Sequence, residues 1–248
     1  MEFVDIIIPN YNSYKNLNST ISSVFAQTYK NWKLIIVDDN SNEKTIKLLK
    51  KFKKNKKIKI FFLKKNMGAG FCRNLAIKNS SSKFISFLDS DDLWDKNKLK
   101  HQINFMKKNN YKFSYTWYLT FKDNSKYLKK IKTPLHFDLH SFIKNTSIGT
   151  STMIIERSLS KNINFIDTKI CEDYFYKCQL LKKNKLANCL PLFLTKYRIR
   201  KNSLQSNKFR NLLWMWKINK NYNKFNFFKN LYSIFFISLN SLKKYGFK

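Results

Sequence analysis

Apolar residues come in short blocks along this chain, and the spacing inside each block predicts its element. Val4–Ile8 is a continuous apolar run ending at Pro9, the pattern of a strand buried on both faces and stopped by proline. Leu17, Ile21, Val24 and Phe25 follow at helical spacing. Leu34–Val37 predicts a second buried strand, ending in Asp38-Asp39. Ile46, Leu49 and Phe52 predict a helix capped by Ser41 or Asn42. A third strand is expected over Ile58–Leu63, a helix over Gly68–Lys78 and a fourth strand over Phe84–Leu88, ending in Asp89-Ser90-Asp91-Asp92. Leu99, Ile103 and Met106 mark the next helix. This β-α alternation predicts an α/β fold, with a Rossmann-like, mostly parallel central sheet flanked by helices. Ligands of such sheets bind at the carboxyl ends of the strands. Asn10, Asn12, Asp38, Asp39, Asn66 and Asp89 to Asp92 all fall there.

Beyond residue 110 the rhythm changes. Lys112–Phe121 reads as an aromatic strand, Thr150–Ile155 as another, and Glu172–Leu181 as a helix. Lys185–Leu190 and Leu192–Tyr197 read as extended, and helices are expected at about 205–221 and 227–244. The expected organisation is a main domain over 1–203, with halves 1–110 and 111–203, and a basic, aromatic helical extension over 204–248.

The formal charge of +34 changes the picture only in part. Of the 49 basic residues, 44 are lysine and five are arginine, at 73, 157, 198, 200 and 210. Arginine is the better bidentate phosphate reader, so its scarcity argues against nucleic-acid recognition. A solvated, lysine-rich surface and attraction to an anionic surface both fit. The charge is also uneven, with 17 basic residues and no acidic ones from Tyr174 onward. The longest uncharged stretch there, Asn230–Leu242, has 13 residues, where a membrane span needs about 20. No basic leader precedes the first strand pattern. A cytoplasmic location is therefore expected. The four cysteines form no C-x-x-C pair and read as buried thiols.

Carboxylates are rare, and eight of the fifteen fall in three clusters: Asp38-Asp39; Asp89, Asp91, Asp92 and Asp95; Glu172-Asp173. Asp89 and Asp91, alternate residues after an apolar strand, can aim two hard oxygen donors at one Mg²⁺ or Mn²⁺ shared with a diphosphate. Asp92 and Asp95 also suit the N-terminus of the following helix. His136 and His140 have no carboxylate at a spacing that completes a metal site.

Five segments in order resemble the family 2 glycosyltransferases, over about residues 3–100. They are Ile6-Ile7-Ile8-Pro9-Asn10-Tyr11-Asn12; Ser23-Val24 to Gln27-Thr28-Tyr29; Trp32 to Ile35-Ile36-Val37-Asp38-Asp39-Asn40-Ser41; Asn66-Met67-Gly68 to Arg73-Asn74; and Phe87-Leu88-Asp89-Ser90-Asp91-Asp92. The resemblance implies the GT-A fold and a nucleotide-sugar donor, typically a UDP-sugar. Pro9 and Tyr11 would line the base pocket together with Asn12, and Asp38, beside Asp39, would hold the base. Asp89 would contact ribose or sugar, Asp91 would coordinate Mn²⁺ or Mg²⁺, and Arg73 would lie near the nucleotide or the phosphates, or else serve as a structural tie to the aspartate cluster. Glu172-Asp173 resembles the general-base motif, with Asp173 as base, and Thr150-Ser151-Thr152-Met153 the strand bordering the acceptor. Tyr197-Arg198 to Asn202-Ser203 resembles a C-terminal motif in which Arg198 would neutralise the leaving diphosphate. The Gln-x-x-Arg-Trp motif of processive members is absent from the sequence. The implied activity is an inverting, non-processive hexosyltransferase acting on a saccharide or lipid-linked acceptor in surface polysaccharide synthesis. The location that the resemblance implies is peripheral, on the inner face of the cytoplasmic membrane.

Two alternatives stand beside it. A basic nucleic-acid-binding protein would use the +34 surface, but the acidic clusters would repel phosphate, so no nucleic-acid partner is expected. A sugar nucleotidyltransferase would use a similar carboxylate site, but its glycine-rich basic loop near the first strand is missing.

Overall fold

In the computed structural model, which describes residues 2–122, 128–168, 170–200 and 207–245, the apolar runs form one half of a single sheet, with the third of them at its edge. Strands β1 (Val4–Asn10), β2 (Trp32–Asp38), β3 (Ile58–Phe62) and β4 (Phe84–Phe87) are parallel, in the order β3-β2-β1-β4. The crossovers are α1 (Tyr14–Phe25), α2 (Glu43–Phe52) and α3 (Gly68–Lys78). Asn42 caps α2 by accepting the Thr45 N–H. Alternation along β1 feeds two cores. Ile6 and Ile8 meet Leu17, Ile21 and Val24 of α1, while Ile7 meets Cys72 and Ala76 of α3 on the other face.

The strand does not stop at Pro9. β1 continues to Asn10, with Pro9 in register with Val37 of β2. The ladder to β4 ends at Ile7, so Pro9 lies where its missing N–H leaves no bond unmade on that side.

The second half adds β5 (Leu93–Trp94), α4 (Lys98–Lys108), β6 (Phe113–Phe121), β7 (Lys129–Ile131), β8 (His136–Phe137) and α5 (Leu139–Phe142). These are followed by β9 (Ile154–Glu156), α6 (Glu172–Asn184), β10 (Ala187–Arg198), α7 (Lys208–Asn221) and α8 (Phe227–Tyr245). The sheet runs unbroken across the expected boundary at 110/111. β9 is antiparallel between β4 and β6, and β10 lies parallel to β6. The boundary expected at 203/204 falls outside the described residues.

Two other expectations are corrected. Thr150–Thr152 is a 3₁₀ turn, and the strand starts only at Ile154. The two extended segments around Pro191 are one strand, β10, whose register against β6 shifts between Leu190 and Phe193 and again before Thr195. Bulges of this kind let a proline sit inside a paired strand.

The C-terminal hairpin of α7 and α8 docks through Ile218 and Phe225, which join the core cluster, and through a set of polar contacts. The Tyr174 hydroxyl donates to Asn219 Oδ1 at 2.8 Å, and Asn219 Nδ2 donates to Asn230 Oδ1 at 3.1 Å and Ser233 Oγ at 3.2 Å. Ser233 Oγ in turn donates to the Ile143 carbonyl at 2.7 Å, and Asn240 Nδ2 to the Lys144 carbonyl at 3.0 Å.

Candidate active site

The carboxyl ends of β1, β2 and β4 bring the acidic clusters together. At the end of β2, Asp38 is fully buried. It takes Asn10 Nδ2 at 2.6 Å on Oδ1 and the Ser41 N–H at 3.0 Å on Oδ2. Asp39 clamps the start of α3, its two oxygens accepting the Met67 and Gly68 N–H groups at 2.6 and 2.8 Å. Both aspartates therefore fix backbone, Asp38 at Ser41 and Asp39 at Met67 and Gly68. Pro9 is buried in β1, whereas Tyr11 is 53% exposed above it. Asn12 takes a left-handed φ of 50°, which asparagine tolerates, and locks to the facing loop. Its N–H donates to Ser41 Oγ and its Oδ1 accepts from Asn42 N.

Helix α3 carries Arg73 to the centre of the site. Gly70 lets the helix approach closely, since a Cβ there would lie 2.9 Å from the Ile166 carbonyl oxygen. Arg73 Nη2 donates to Asp89 Oδ1 at 2.7 Å and Nη1 to Glu172 Oε1 at 2.6 Å. One guanidinium thus joins the carboxylate cluster after β4 to the one at the start of α6. Burial opposes the charge on Arg73, but Asp89 and Glu172 outweigh it and hold its pKa above the ordinary value. On Glu172 burial prevails over the pull of Arg73 and raises the pKa. Replacing Arg73 by Met should cost about 3–5 kcal/mol, because two partly buried carboxylates lose their shared partner. Arg73→Lys should recover only part of that loss, since an ammonium cannot fork to both. Urea unfolding of the two variants checks both values.

The loop after β4 splits its three aspartates. Asp89 faces Arg73. Asp91 Oδ2 pairs with Arg200 Nη2 at 2.5 Å, and the Arg200 side chain is 49% exposed. Burial raises the Asp91 pKa, with Arg200 opposing. Asp92 is not a helix cap: it accepts Ser151 Oγ at 2.5 Å and the Arg198 N–H at 2.9 Å, deep in the protein. Asp95 accepts the Asn97 N–H at 2.8 Å, just ahead of α4. Arg198 supports the loop from behind, with its Nε donating to the Asp91 carbonyl at 2.8 Å and its guanidinium over the Phe121 ring. Arg200, two residues along, is the arginine that reaches the Asp91 carboxylate. The alternation Arg198-Ile199-Arg200 at a strand end was the available signal for it. Asn202 and Ser203 lie outside the described residues.

The 3₁₀ turn stitches the two sides. Ser151 Oγ accepts the Asp89 N–H at 3.0 Å while donating to Asp92. Thr150 Oγ1 donates to Asp173 Oδ2 at 2.8 Å. The same Oδ2 takes Lys177 Nζ at 2.7 Å, one helical turn on, and Oδ1 takes neither donor. Burial works against the Asp173 charge, but the Lys177 ammonium more than offsets it and lowers the pKa to about 2.

Divalent metal fits this donor set in one way. Asp91 already attracts an exposed cation, and Asp89 and Asp91 offer hard carboxylate oxygens. Among the described residues no group of three metal-binding side chains converges, so a bound ion would complete its shell with diphosphate oxygens and water.

The sequence profile for "Glycosyl transferase family 2" matches residues 5–189, from β1 into β10. This chain belongs to glycosyltransferase family 2. A similar family member is UDP-Glc:alpha-D-GlcNAc-diphosphoundecaprenol beta-1,3-glucosyltransferase WfgD of Escherichia coli, 38% identical over 211 residues, 84% of this chain and 82% of the relative. The putative teichuronic acid biosynthesis glycosyltransferase TuaG of Bacillus subtilis is 34% identical over 209 residues, covering 84% and 83%. Among solved structures, S. aureus TarS in complex with UDP-GlcNAc superposes with a TM-score of 0.75 at 20% identity, covering 99% of this chain and 73% of that one. Mannosyltransferase PcManGT from Pyrobaculum calidifontis, in complex with GDP-Man and Mn²⁺, gives 0.71 at 12% identity, covering 100% and 76%. These likenesses show the GT-A fold. The family makes the chain a glycosyltransferase, and all the acidic clusters lie within the matched region.

Proposed function

We propose that this family 2 member is an inverting, non-processive, metal-dependent hexosyltransferase that moves a sugar from a UDP-sugar to a lipid-linked saccharide acceptor in surface polysaccharide synthesis. The observation that carries this reading is the Arg73 bridge. It holds Asp89 and Glu172 on one guanidinium and so brings the donor side within a few ångströms of the acceptor side. A single displacement needs that proximity. Asp173, kept ionised by Lys177, takes the acceptor hydroxyl proton through Oδ1 as the new bond forms at the anomeric carbon. The bond from that carbon to the diphosphate oxygen breaks on the opposite side, and its electron pair leaves with UDP. Asp91 and Asp89 would hold Mn²⁺ or Mg²⁺, which supplies charge neutralisation for the departing diphosphate. Arg200 has an exposed guanidinium beside Asp91 and can add to that neutralisation. The WfgD name supports UDP-glucose and a diphosphoundecaprenol-linked acceptor as the substrates to try first.

Calorimetric titration with UDP, GDP, CMP and dTDP, with and without Mn²⁺, tests the donor half. UDP should bind on the order of tenfold or more tightly than the others, and only with the metal present. A folded sample that binds no nucleotide would overturn the reading.

A further inference from the structure

Helix α8 is built inside out. The positions it turns toward the protein are Asn230, Ser233 and Ile237, with Asn240 reaching back to Lys144, and Asn230 and Ser233 are buried. Its outer side carries Phe228, Leu231, Phe235 and Leu239, one stripe at helical spacing, with Phe227 beside it. Phe228 is 78% exposed, Phe235 57% and Leu231 50%. Helix α7 adds Phe209 at 72% and Leu213 at 48%. Around them stand exposed Lys217, Lys220, Lys224 and Lys229, and the sequence holds no acidic residue after Asp173. A helix packed on a protein in water normally shows the reverse arrangement. Exposed apolar surface of this kind marks an interaction site.

We infer that the outer face of the α7–α8 hairpin docks on an anionic lipid bilayer, its aromatic side chains entering the acyl boundary and its lysines meeting the headgroups. The charge pattern selects lipid over a second copy of this chain. Two such faces brought together would set lysine against lysine, with no carboxylate in this segment to relieve the repulsion. An anionic bilayer satisfies the stripe and the lysines together. No described helix is long and apolar enough to cross a membrane, so the hairpin lies on the surface. The placement rests on the lipid-linked acceptor proposed above. The buried chain Ser233–Asn219–Tyr174 ties the docked hairpin to α6, one residue past Asp173.

The test is co-sedimentation of the full chain with vesicles of phosphatidylcholine alone and of phosphatidylcholine mixed with phosphatidylglycerol. The wild type should sediment with the mixed vesicles and be released by salt. The triple variant Phe228→Ser, Leu231→Ser, Phe235→Ser should bind them on the order of tenfold more weakly. These side chains face solvent, so its melting temperature and its UDP affinity should match the wild type. Equal sedimentation of variant and wild type would overturn the inference. So would a wild type that ignores anionic vesicles, or one that forms a dimer in solution that the triple variant abolishes. UDP affinity is read separately, so failure here is distinguishable from failure of the donor assignment.

Discussion

Asp173→Asn is expected to lower turnover by about 10²–10⁴-fold while leaving UDP-sugar affinity unchanged. The amide keeps the shape of the carboxylate and can still meet Thr150 and Lys177, but it cannot accept the acceptor's proton. The same change takes the counter-charge from the Lys177 ammonium, whose side chain is only 4% exposed, so a stability loss of about 3–5 kcal/mol accompanies it. The double variant Asp173→Asn, Lys177→Met separates the two effects. It should regain stability but not turnover. Recovered turnover in the double variant would make Asp173 a structural residue and pass the base to Glu172. The acid dependence follows from the same pair. Asp173 has its pKa lowered from 3.8 to about 2, so its contribution to stability is complete above about pH 4 and is lost as the pH falls toward 2. Thermal unfolding over that window should show a smaller pH dependence in Asp173→Asn than in the wild type. Turnover near neutral pH should show no acid limb from this group.

The second large effect is at Asp91. Asp91→Asn should abolish metal-stimulated turnover and weaken Mn²⁺ binding, read by calorimetry in the presence of UDP. Chelation with EDTA should stop the wild type, and added Mn²⁺ should restore it but not the variant. Stability should move the other way. Burial raises the Asp91 pKa despite Arg200, so the folded state holds this charge less well than the unfolded chain does. A neutral isostere removes that penalty, and the melting temperature should hold or rise. Such an exchange of stability for function is common where a site concentrates like charges. A fully active, metal-responsive Asp91→Asn would remove the residue from the metal role.

The first half of the fold was legible because β1, β2 and β4 are almost wholly buried and the helices between the strands carry apolar positions at helical spacing. Helix α3 has the bounds its pattern predicts. The acidic clusters were legible for an opposite reason: in a chain of +34, carboxylates at strand ends stand out. Lys177 did not stand out, because one lysine paired with Asp173 among 44 lysines carries no compositional signal. Lys98 was hidden in the same way. It is fully buried under Trp94, with its ammonium on Gln102, and burial alone pulls its pKa down. Nor could spacing show that Asp92 pairs with Ser151 and the Arg198 backbone, contacts that only the antiparallel β9 and the bulged β10 bring within reach. Long-range pairings of that sort depend on topology, which local periodicity does not encode.

The turn at Thr150–Thr152 gives one hydroxyl to the loop after β4 and its neighbour to Asp173, while Trp94 and Thr195 both donate to the Ser151 carbonyl and pin it in place. If the loop after β4 serves the donor and Asp173 the acceptor, as proposed, the two choices share a three-residue fulcrum. A substitution there that widened one preference would be felt in the other, so mutational drift toward a new sugar and toward a new acceptor would travel together through this turn.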